Sequence, residues 1–349
     1  MTNIYPGAIH IHSTFSDGTG DIPFIIKEAK KAGLKWIVIT DHNTLAGKNY
    51  EGYHDGVAVI VGDEISPDKG NHFLALDIKE EITQNQPPQD YVNAVKTQGG
   101  FGFIAHPDEQ TNRKNPWPAL RWDDWTIKDF GGIEIWNYMS DWVDNMNIKT
   151  IALSILFKNR NIKGPTKDVL SWWDKLNQES EDIIPAVGGS DVHAFCAKAP
   201  IINMLKVFSY YSMFKSVVNL LLIDKPLSDN YEEAKIQILS ALKNGGNIIL
   251  NRTLTKQNPE FFITNGETQA HAGEKIELKN NLELLVKLPK KANLRVICNG
   301  EVIKEEKKKE LKMQIAEKGS YRIEAYDGQK PLLFSNHIKV CKKTHDKTY

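Results

Sequence analysis

The chain has 349 residues, and its 44 Lys and Arg residues are balanced by 44 Asp and Glu residues. An apolar fraction of 41% with 25% charged residues is ordinary for a globular protein and argues against a disordered chain. Because the net charge is zero, no basic footprint predicts nucleic acid or a membrane surface as a partner. The three cysteines are far apart and form no CxxC pair, which argues against a disulfide framework and a zinc–thiolate site.

No segment predicts export or membrane insertion. The longest apolar run, at residues 217–223, is far shorter than the roughly 20 residues that span a bilayer. Residues 1–6 lack the basic and apolar regions of a secretory signal, so we expect a cytoplasmic protein. At about 150 residues per domain, the length predicts two domains, although one α/β barrel could fill most of it.

The first 250 residues alternate strand-like and helix-like segments. Compact apolar runs predict strands at residues 7–12, 36–40, 57–62, 72–78, 101–105, 132–137 and 185–189. Helical spacing of apolar residues predicts helices at residues 22–32, 88–95, 143–157 and 167–177. Repeated β-α units predict a parallel α/β fold, either a barrel or an open sheet.

The pattern changes after about residue 251. Short alternating stretches predict strands at residues 261–264, 282–288, 294–298, 311–315 and 321–326. Asn299-Gly300 predicts a type I′ hairpin, and Asp327-Gly328 predicts a second turn. The alternating Lys and Glu residues at 304–312 predict a solvated hairpin tip. We therefore predict two domains, 1–251 and 252–349, of which the second is a small all-β sandwich.

Two histidines lie two residues apart in the first predicted strand, as His10-Ile11-His12. Successive side chains of a strand alternate between its faces, so both imidazoles are expected on one face, where they can chelate a divalent metal. Asp17 follows in a loop, where an Asp before Gly is also a common turn residue. An HxH motif alone is more often incidental than a metal site.

Ligand-type residues recur at the next strand ends. The predicted strands run into Asp41-His42, Asp63-Glu64, His106, and Asp191 with His193. Active sites of α/β barrels and open sheets lie at the C-terminal ends of their strands. His72 begins its strand instead of ending it, so its position supports it less. Because six histidines share this pattern with Asp17, Glu64 and Asp191, we predict that these nine residues together form a metal site.

These motifs resemble the metal-site signature of the polymerase and histidinol phosphatase (PHP) superfamily, whose nine ligand positions are all filled between residues 10 and 193. The resemblance implies a distorted (β/α)7 barrel with two or three metals. It implies one metal held by His10, His12, Glu64 and Asp191, a second held by Asp17, His42 and His193, and a third held by His72 and His106 with Glu64 as the bridge. Residues 132–137 (GIEIWN) and 172–174 (WWD) are more loosely similar to the branch that includes carbaryl hydrolase-like metallohydrolases.

The ligand types agree with hydrolytic chemistry. Imidazole and carboxylate without thiolate suit Zn²⁺, Mn²⁺ or Fe, and residue types do not choose among these metals. Metals roughly 3.5 to 4 Å apart can share a water, lower its pKa towards about 7 and present hydroxide to phosphorus or carbon. We therefore expect two or three divalent ions with a bridging hydroxide, and we count Asp191 and His193 as catalytic residues as well as ligands.

Residues around the ligands are assigned alternative roles. Asp41 is predicted either to orient an imidazole or to cap a helix. Asn43, Arg113 and Arg121 are the candidate substrate residues, since Arg suits bidentate contact with phosphate, although a surface or packing role fits each equally well. The tryptophans predict either an aromatic wall for a planar ligand or a core beneath a long loop; they are Trp117, Trp122, Trp125 and Trp136. The remaining histidines are expected to be surface or packing residues; they are His54, His271, His337 and His345.

The leading functional prediction is a metal-dependent phosphoesterase that acts on a small, anionic phosphorylated molecule, because the ligand set is complete and phosphatase activity is common in the superfamily. The alternative is a metal-dependent hydrolase of carboxyl or carbamate esters, suggested by the looser resemblance. A third is a non-catalytic metal-binding module, as in replicative polymerases whose PHP domain has lost ligands. The oligomeric state and the role of the β domain are left open.

Overall fold

The computed structural model describes residues 2–110, 118–146, 157, 159, 161–194, 196–199, 202–206 and 208–342, with 196–199 and 202–206 described by their backbone alone. The strands up to residue 251 are β1 (Asn3–Ile11), β2 (Trp36–His42), β3 (Gly52–His54), β4 (Val57–Ile65), β5 (Phe73–Leu76), β6 (Phe101–Ile104), β7 (Gly132–Asn137), β8 (Ala186–Val192), β9 (Cys196–Ala199), β10 (Ile202–Lys206), β11 (Val217–Ile223) and β12 (Asn247–Asn251). The helices are α1 (Ile22–Ala32), a 3-10 helix (Ala46–Tyr50), α2 (Pro88–Thr97), α3 (Tyr138–Asp144), α4 (Lys167–Glu179), α5 (Tyr210–Met213) and α6 (Tyr231–Asn244). Within these described ranges, no helix is long and apolar enough to cross a membrane.

Seven strands close into a barrel in the order β1-β2-β4-β5-β6-β7-β8, and β8 pairs back to β1. Neighbouring strands are parallel except at β5, which runs antiparallel to both β4 and β6. The strands are buried on both sides, as their continuous apolar runs predict. The predicted α/β barrel is confirmed, and the C-terminal ends of its parallel strands meet at one edge.

Local signals decide where several helices begin and end. In α1 the Asp21 carboxylate accepts a hydrogen bond from Phe24 N at 2.8 Å, and Gly33 ends the helix with a φ of 78°. The helix predicted at 143–157 is wrong in its start, because Asn137 caps α3 through Ser140 N (2.9 Å) and α3 ends at Asp144. Most of the remainder of that predicted helix lies outside the described residues.

The C-terminal strands are β13 (Glu260–Thr264), β14 (Gln269–His271), β15 (Lys275–Glu277), β16 (Leu282–Cys298), β17 (Glu301–Ile315), β18 (Gly319–Asp327), β19 (Lys330–Ser335) and β20 (Ile338–Cys341). Two predicted strands are thus one long strand, β16, which pairs with β13 at its first half and with β18 at its second half. The predicted type I′ turn is confirmed, since Asn299 and Gly300 have φ values of 50° and 85°. The charged run 304–312 lies within the exposed strand β17, so its placement at a hairpin tip is wrong.

The barrel and the C-terminal strands share hydrogen bonds. β1 pairs with β11, β11 with β12, and β12 with β19, so one ladder of strands continues across residue 251. Beside this ladder, the buried Asn336 amide donates to Ala186 O at 2.9 Å and to Asn247 O at 3.1 Å. The division into residues 1–251 and 252–349 stays a prediction, and these bonds attach the C-terminal strands firmly to the barrel.

Candidate metal centre

All nine predicted ligand residues lie together at the edge of the barrel where its parallel strands end. They follow or occupy the ends of β1, β2, β4, β6 and β8, or directly precede β5: His10, His12, Asp17, His42, Glu64, His72, His106, Asp191 and His193. Eight of the nine are at most partly exposed, whereas the side chain of Asp17 is 55% exposed. The cluster therefore has a buried floor and one accessible carboxylate.

His72 joins the cluster because of the direction of β5. Since β5 is antiparallel to β4 and β6, its start lies at the edge where the other strands end, and His72 directly precedes it. His72 Nδ1 is accordingly 2.9 Å from Glu64 Oε1. Its position at a strand start, which weakened the sequence argument, is a consequence of this one reversed strand.

Glu64 is the centre of the cluster, with both carboxylate oxygens facing imidazoles. Oε2 lies 3.1 Å from His10 Nε2, 3.3 Å from His12 Nε2 and 3.0 Å from His42 Nδ1, and Oε1 lies 2.9 Å from His72 Nδ1 and 3.3 Å from His106 Nε2. A carboxylate with donors around both oxygens has the arrangement that bridges neighbouring metal ions.

The donors divide into four overlapping groups whose ligand atoms lie within 4.8 Å of one another. The groups are His12, Asp17, His42 and His193; His10, His106 and Asp191; His10, His12 and Glu64; and Glu64, His72 and His106. The first contains the three residues of the predicted second metal, and the last is the predicted third metal set. The residues implied for the first metal are divided between the two middle groups.

The buried donor atoms fit a divalent cation. Within the described part of the chain, His10 Nε2, both ring nitrogens of His12 and Glu64 Oε2 lie near other ligand atoms but form no hydrogen bond of suitable geometry. Leaving buried polar atoms unpaired costs free energy, and native proteins rarely tolerate several in one place. Cation ligation would satisfy all of them, and mixed imidazole and carboxylate donors suit Zn²⁺, Mn²⁺ or Fe.

Burial and the neighbouring charges shift the pKa values of the cluster residues in different directions. Burial lowers the pKa of His10, but the carboxylates, led by Glu134, raise it well above its ordinary value. Burial raises the pKa of Glu64, but the imidazoles, led by His10, hold it well below its ordinary value. Burial and the neighbouring His193 lower the pKa of His12 to about 4. An ionised Glu64 and a neutral His12 are the forms that ligate metals.

Three of the nine residues have a left-handed backbone. The φ values are 65° at His10, 29° at His106 and 49° at Asp191, which non-glycine residues rarely adopt. The pairing of β1 with β8 shifts register between Ile9 and Ile11, and β1 ends before His12. The two imidazoles of the HxH motif do converge, with ring centroids 5.2 Å apart, but through this bulge and not by simple strand alternation. Such strain typically accumulates at functional sites.

Two buried residues that sequence reasoning did not single out complete the cluster. Glu134 Oε1 lies 2.8 Å from His10 Nδ1, and Glu134 Oε2 accepts from His106 N at 2.7 Å. Asn137 Nδ2 donates to Glu134 Oε2 at 3.0 Å and to Asp191 Oδ2 at 3.2 Å. The sequence offers one signal for Glu134, a lone carboxylate within the apolar run GIEIWN, which predicts the strand β7 and carries the looser resemblance.

Comparison with known proteins gives a family for this arrangement. The model of the PHP domain matches residues 8–244, which include the whole cluster. The chain belongs to the PHP family. The resemblance predicted from the ligand series is confirmed, while the looser resemblance to the carbaryl hydrolase-like branch stays a prediction.

Similar proteins include an uncharacterized protein of Methanocaldococcus jannaschii, 29% identical over 181 residues, which are 47% of this chain and 96% of that protein. A phosphoribosyl 1,2-cyclic phosphate 1,2-diphosphodiesterase of Eggerthella lenta is 32% identical over 80 residues, 21% of this chain and 30% of that protein. Among solved structures, a two-domain protein of Bacteroides vulgatus containing a predicted PHP-like metal-dependent phosphoesterase aligns with a TM-score of 0.47 and 16% identity, covering 96% of this chain and 95% of that one.

Asp41 has neither of its predicted roles in the PHP site. Its carboxylate accepts hydrogen bonds from Ser13 N, Ser13 Oγ and Ser16 Oγ, each at 2.6 Å. It therefore stabilises the loop between His12 and Asp17, and among the described residues its carboxylate pairs with neither an imidazole nor the start of a helix. These contacts depend on the tertiary structure, because β1 and β2 are neighbouring strands and the loop after β1 lies against the end of β2.

The candidate substrate residues have different surroundings. Asn43 lies beside His42, and its amide pairs with the backbone of Ser66 (2.8 and 3.2 Å), so it joins two loops of the PHP site. Arg121 has an exposed side chain, and its carbonyl accepts from Asn71 N at 3.2 Å, next to His72. Arg113 lies outside the described residues. A substrate role for each of the three stays a prediction.

The tryptophans belong largely to the core. Trp122 and Trp136 are 1% exposed, whereas Trp125 is 46% exposed and packs edge-on against Trp172. The packing alternative therefore holds for Trp122 and Trp136, and Trp117 lies outside the described residues. Of the remaining histidines, His337 is buried, His54 and His271 are partly buried, and His345 lies outside the described residues.

A cavity of about 650 Å³ opens beside the PHP site. His106, Glu134 and Asn137 line it on the barrel side. The strands β16 and β18 contribute Arg295 and Tyr326 to the same cavity. The C-terminal strands thus reach the surroundings of the PHP site, which the sequence did not reveal.

Proposed function

We propose that the protein is a metal-dependent phosphoesterase that hydrolyses a small phosphorylated molecule. The observation that carries the proposal is the convergence of nine nitrogen and oxygen donors, with buried atoms that lack hydrogen bonds, in a PHP domain. The similarity to a protein named as a cyclic phosphate diphosphodiesterase supports phosphorus as the reacting centre.

The ligand sets are proposed as the resemblance implies, with His12 also facing the group of Asp17, His42 and His193. When bound, two or three divalent cations would neutralise the charge of a phosphate and activate a water molecule for attack on phosphorus. Asp191 and His193 are the proposed catalytic residues, since Asp191 Oδ1 lies 3.3 Å from His12 Nε2 and 3.5 Å from His193 Nδ1, where the donor groups meet.

Asp17 forms the accessible side of the centre, with the buried His193 beside it. Burial raises the pKa of Asp17, but its hydrogen bond with His193 lowers the pKa below its ordinary value, so the carboxylate stays ionised. Asp17 Oδ1 is 3.1 Å from His193 Nε2, and the Asp17 side chain is 55% exposed. A substrate phosphate would approach the centre from this side.

The cavity beside His106 is the proposed place for the part of the substrate attached to phosphate. At about 650 Å³ it has the volume of a small-molecule site. Lys163, Lys167 and Arg295 in its wall offer hydrogen-bond donors, while Asp108 and Asp144 offer acceptors. This mixed polarity suits a molecule with hydroxyl or amide groups more than a flat apolar ligand.

The test is a substrate panel on metal-loaded protein. The full chain is stripped with a chelator, reloaded with Mn²⁺, Zn²⁺ or Fe²⁺, and assayed for hydrolysis of phosphomonoesters and phosphodiesters, and of aryl esters and carbamates. We expect hydrolysis only of phosphorus esters, together with two or three metal ions per chain by elemental analysis.

Matched histidine variants complete the test. His12→Ala should lose metal and turnover, whereas His54→Ala, whose ring binds only the Tyr50 carbonyl (2.9 Å) among the described contacts, should keep both. Turnover of aryl esters or carbamates without phosphorus esters would favour the carboxyl-ester alternative. Bound metal with no turnover on any substrate would favour a non-catalytic module.

A further inference from the structure

Glu134 is held between three strands at the floor of the metal centre. It lies on β7, its Oε1 is 2.8 Å from His10 Nδ1, and the side chain is completely buried. Its other oxygen, Oε2, accepts from His106 N and Asn137 Nδ2. Within the described residues Glu134 belongs to none of the groups that could hold a metal, but two of the residues that it contacts, His10 and His106, belong to them.

The hydrogen bond with Glu134 determines which nitrogen of the His10 ring carries the proton. A carboxylate oxygen only accepts, so the proton shared with His10 is carried by Nδ1. In the neutral ring the lone pair then lies on Nε2, which is the nitrogen that faces Glu64 and Asp191 at 3.1 and 3.5 Å. The hydrogen bond from His106 N ties the same carboxylate to a second ligand, at a residue with a left-handed backbone.

The chain also leaves space for this carboxylate at Gly189 on β8. A Cβ at Gly189 would lie 1.5 Å from Glu134 Oε1 and 3.1 Å from His10 Cβ. Positive φ is absent at Gly189, so its glycine is required for space and not for an unusual backbone. His10 on β1, Glu134 on β7 and Gly189 on β8 therefore form a tightly packed contact around one carboxylate, which we call the cradle.

We propose that Glu134 is a positioning residue of the metal centre, which fixes His10 as the Nδ1–H tautomer with Nε2 directed at the cation and holds the backbone of His106 in place. The proposal rests on the metal centre of the proposed function. Partners of this kind typically change metal affinity by 10- to 100-fold.

Glu134→Gln tests the tautomer directly. The amide keeps the shape of the side chain, but its NH₂ group must face either His10 Nδ1 or the donors His106 N and Asn137 Nδ2. We expect metal affinity, measured by competition with a chelating dye, to fall 10- to 100-fold. ¹⁵N spectra of the zinc-loaded protein should show His10 protonated at Nδ1 in the wild type and altered in the variant.

Asp141→Asn is the matched control for a merely structural role. Asp141 is also a buried carboxylate near β7, but it accepts from Lys163 N, Gly164 N and Trp136 Nε1 and, among the residues that the structure describes, from no imidazole. Its variant should lower the unfolding temperature and leave metal affinity within threefold of the wild type.

A double-mutant cycle tests the cradle. Gly189→Ala should weaken metal binding at least tenfold in the wild type, because its methyl group displaces Glu134, and less than threefold in a Glu134→Ala background, where that clash is gone. If Gly189→Ala weakens metal binding equally in the wild type and in the Glu134→Ala background, the claim that Gly189 leaves space for Glu134 is wrong. Wild-type affinity and an unchanged His10 tautomer in Glu134→Gln would overturn the positioning role. Failure of the wild-type protein to bind metal would instead overturn the proposed function.

Discussion

Two buried clusters of this protein are built from histidine and carboxylate, and they satisfy their charges in different ways. The metal centre combines six histidines with Asp17, Glu64 and Asp191. The second cluster, which we call the interface cluster, consists of Asp174 on α4, Arg322 and Glu324 on β18, and His337 between β19 and β20. Both oxygens of Asp174 accept from Arg322 at 2.6 and 2.7 Å, and His337 Nε2 lies 2.9 Å from Oδ1.

The difference is a permanent cation. In the interface cluster the guanidinium of Arg322 lies between two carboxylates, and although burial raises the pKa of Asp174, its hydrogen bond with Arg322 lowers it to about 2. In the metal centre, the carboxylates of the described residues form ion pairs with imidazoles only. The comparison teaches that buried carboxylates and imidazoles stabilise the fold when an Arg of the chain balances their charge. Without such an Arg, the same residue types remain available to ligate metal ions.

The largest effect is expected from removing the central ligand of the metal centre. Glu64→Gln should lower kcat/KM by roughly 10³-fold or more and remove bound metal, because both oxygens of Glu64 face imidazoles of the ligand set. Elemental analysis and steady-state kinetics measure this. Full metal content and turnover in this variant would contradict the assignment of Glu64 as the central ligand, on which the comparison of the two clusters depends.

Removal of the permanent cation should affect stability instead of metal binding. Arg322→Met removes the guanidinium from two buried carboxylates and leaves Asp174 with His337 and Glu324 with Arg295. Breaking a buried ion pair by removing one partner typically costs about 3–5 kcal/mol. Urea unfolding of the metal-free protein measures the loss, and metal content serves as the control. Loss of metal with unchanged stability would show that the two clusters are not independent.

Acid should weaken the interface cluster before Asp174 itself titrates. Burial and the charges of Arg322 and Lys339 outweigh Asp174 and lower the pKa of His337 to about 4. The unfolded chain, with a His pKa near 6.5, binds more protons in this range, so stability is full above about pH 6.5 and is lost as the pH falls towards 4, by up to about 3 kcal/mol. Chemical unfolding of the metal-free protein from pH 7 to 4 tests this, and His337→Asn should flatten the dependence. An unchanged slope in that variant would assign the acid sensitivity elsewhere.

The smallest effect is expected at an exposed ion pair, which lacks the burial that gives both clusters their strength. Lys96 Nζ lies 2.8 Å from Asp129 Oδ2, with side chains 63% and 67% exposed. Asp129→Asn keeps a residue that tolerates the φ of 60° at this position, so the free energy of unfolding should change by less than about 0.5 kcal/mol. A loss comparable to that of Arg322→Met would show that burial does not separate the two kinds of pair.

Local signals in the sequence determined much of the fold and the ligand set. Gly33 ends α1 where the sequence predicts, and Asn299-Gly300 forms the predicted turn, because both depend on backbone preferences of the residues themselves. The ligand residues could be predicted because α/β barrels place active sites where their strands end. The ligand-type residues that follow strand ends are therefore recognisable from the sequence alone, whereas His72 precedes its strand.

Tertiary structure decided what depends on which strands become neighbours. The reversed direction of β5 brings His72 to the cluster, and the adjacency of β1, β7 and β8 places Glu134 against His10 in the space left by Gly189. The interface cluster joins residues 148 and 163 positions apart, at Asp174 with Arg322 and with His337. No local pattern encodes these pairs, because strand order and direction are set by the packing of the whole chain.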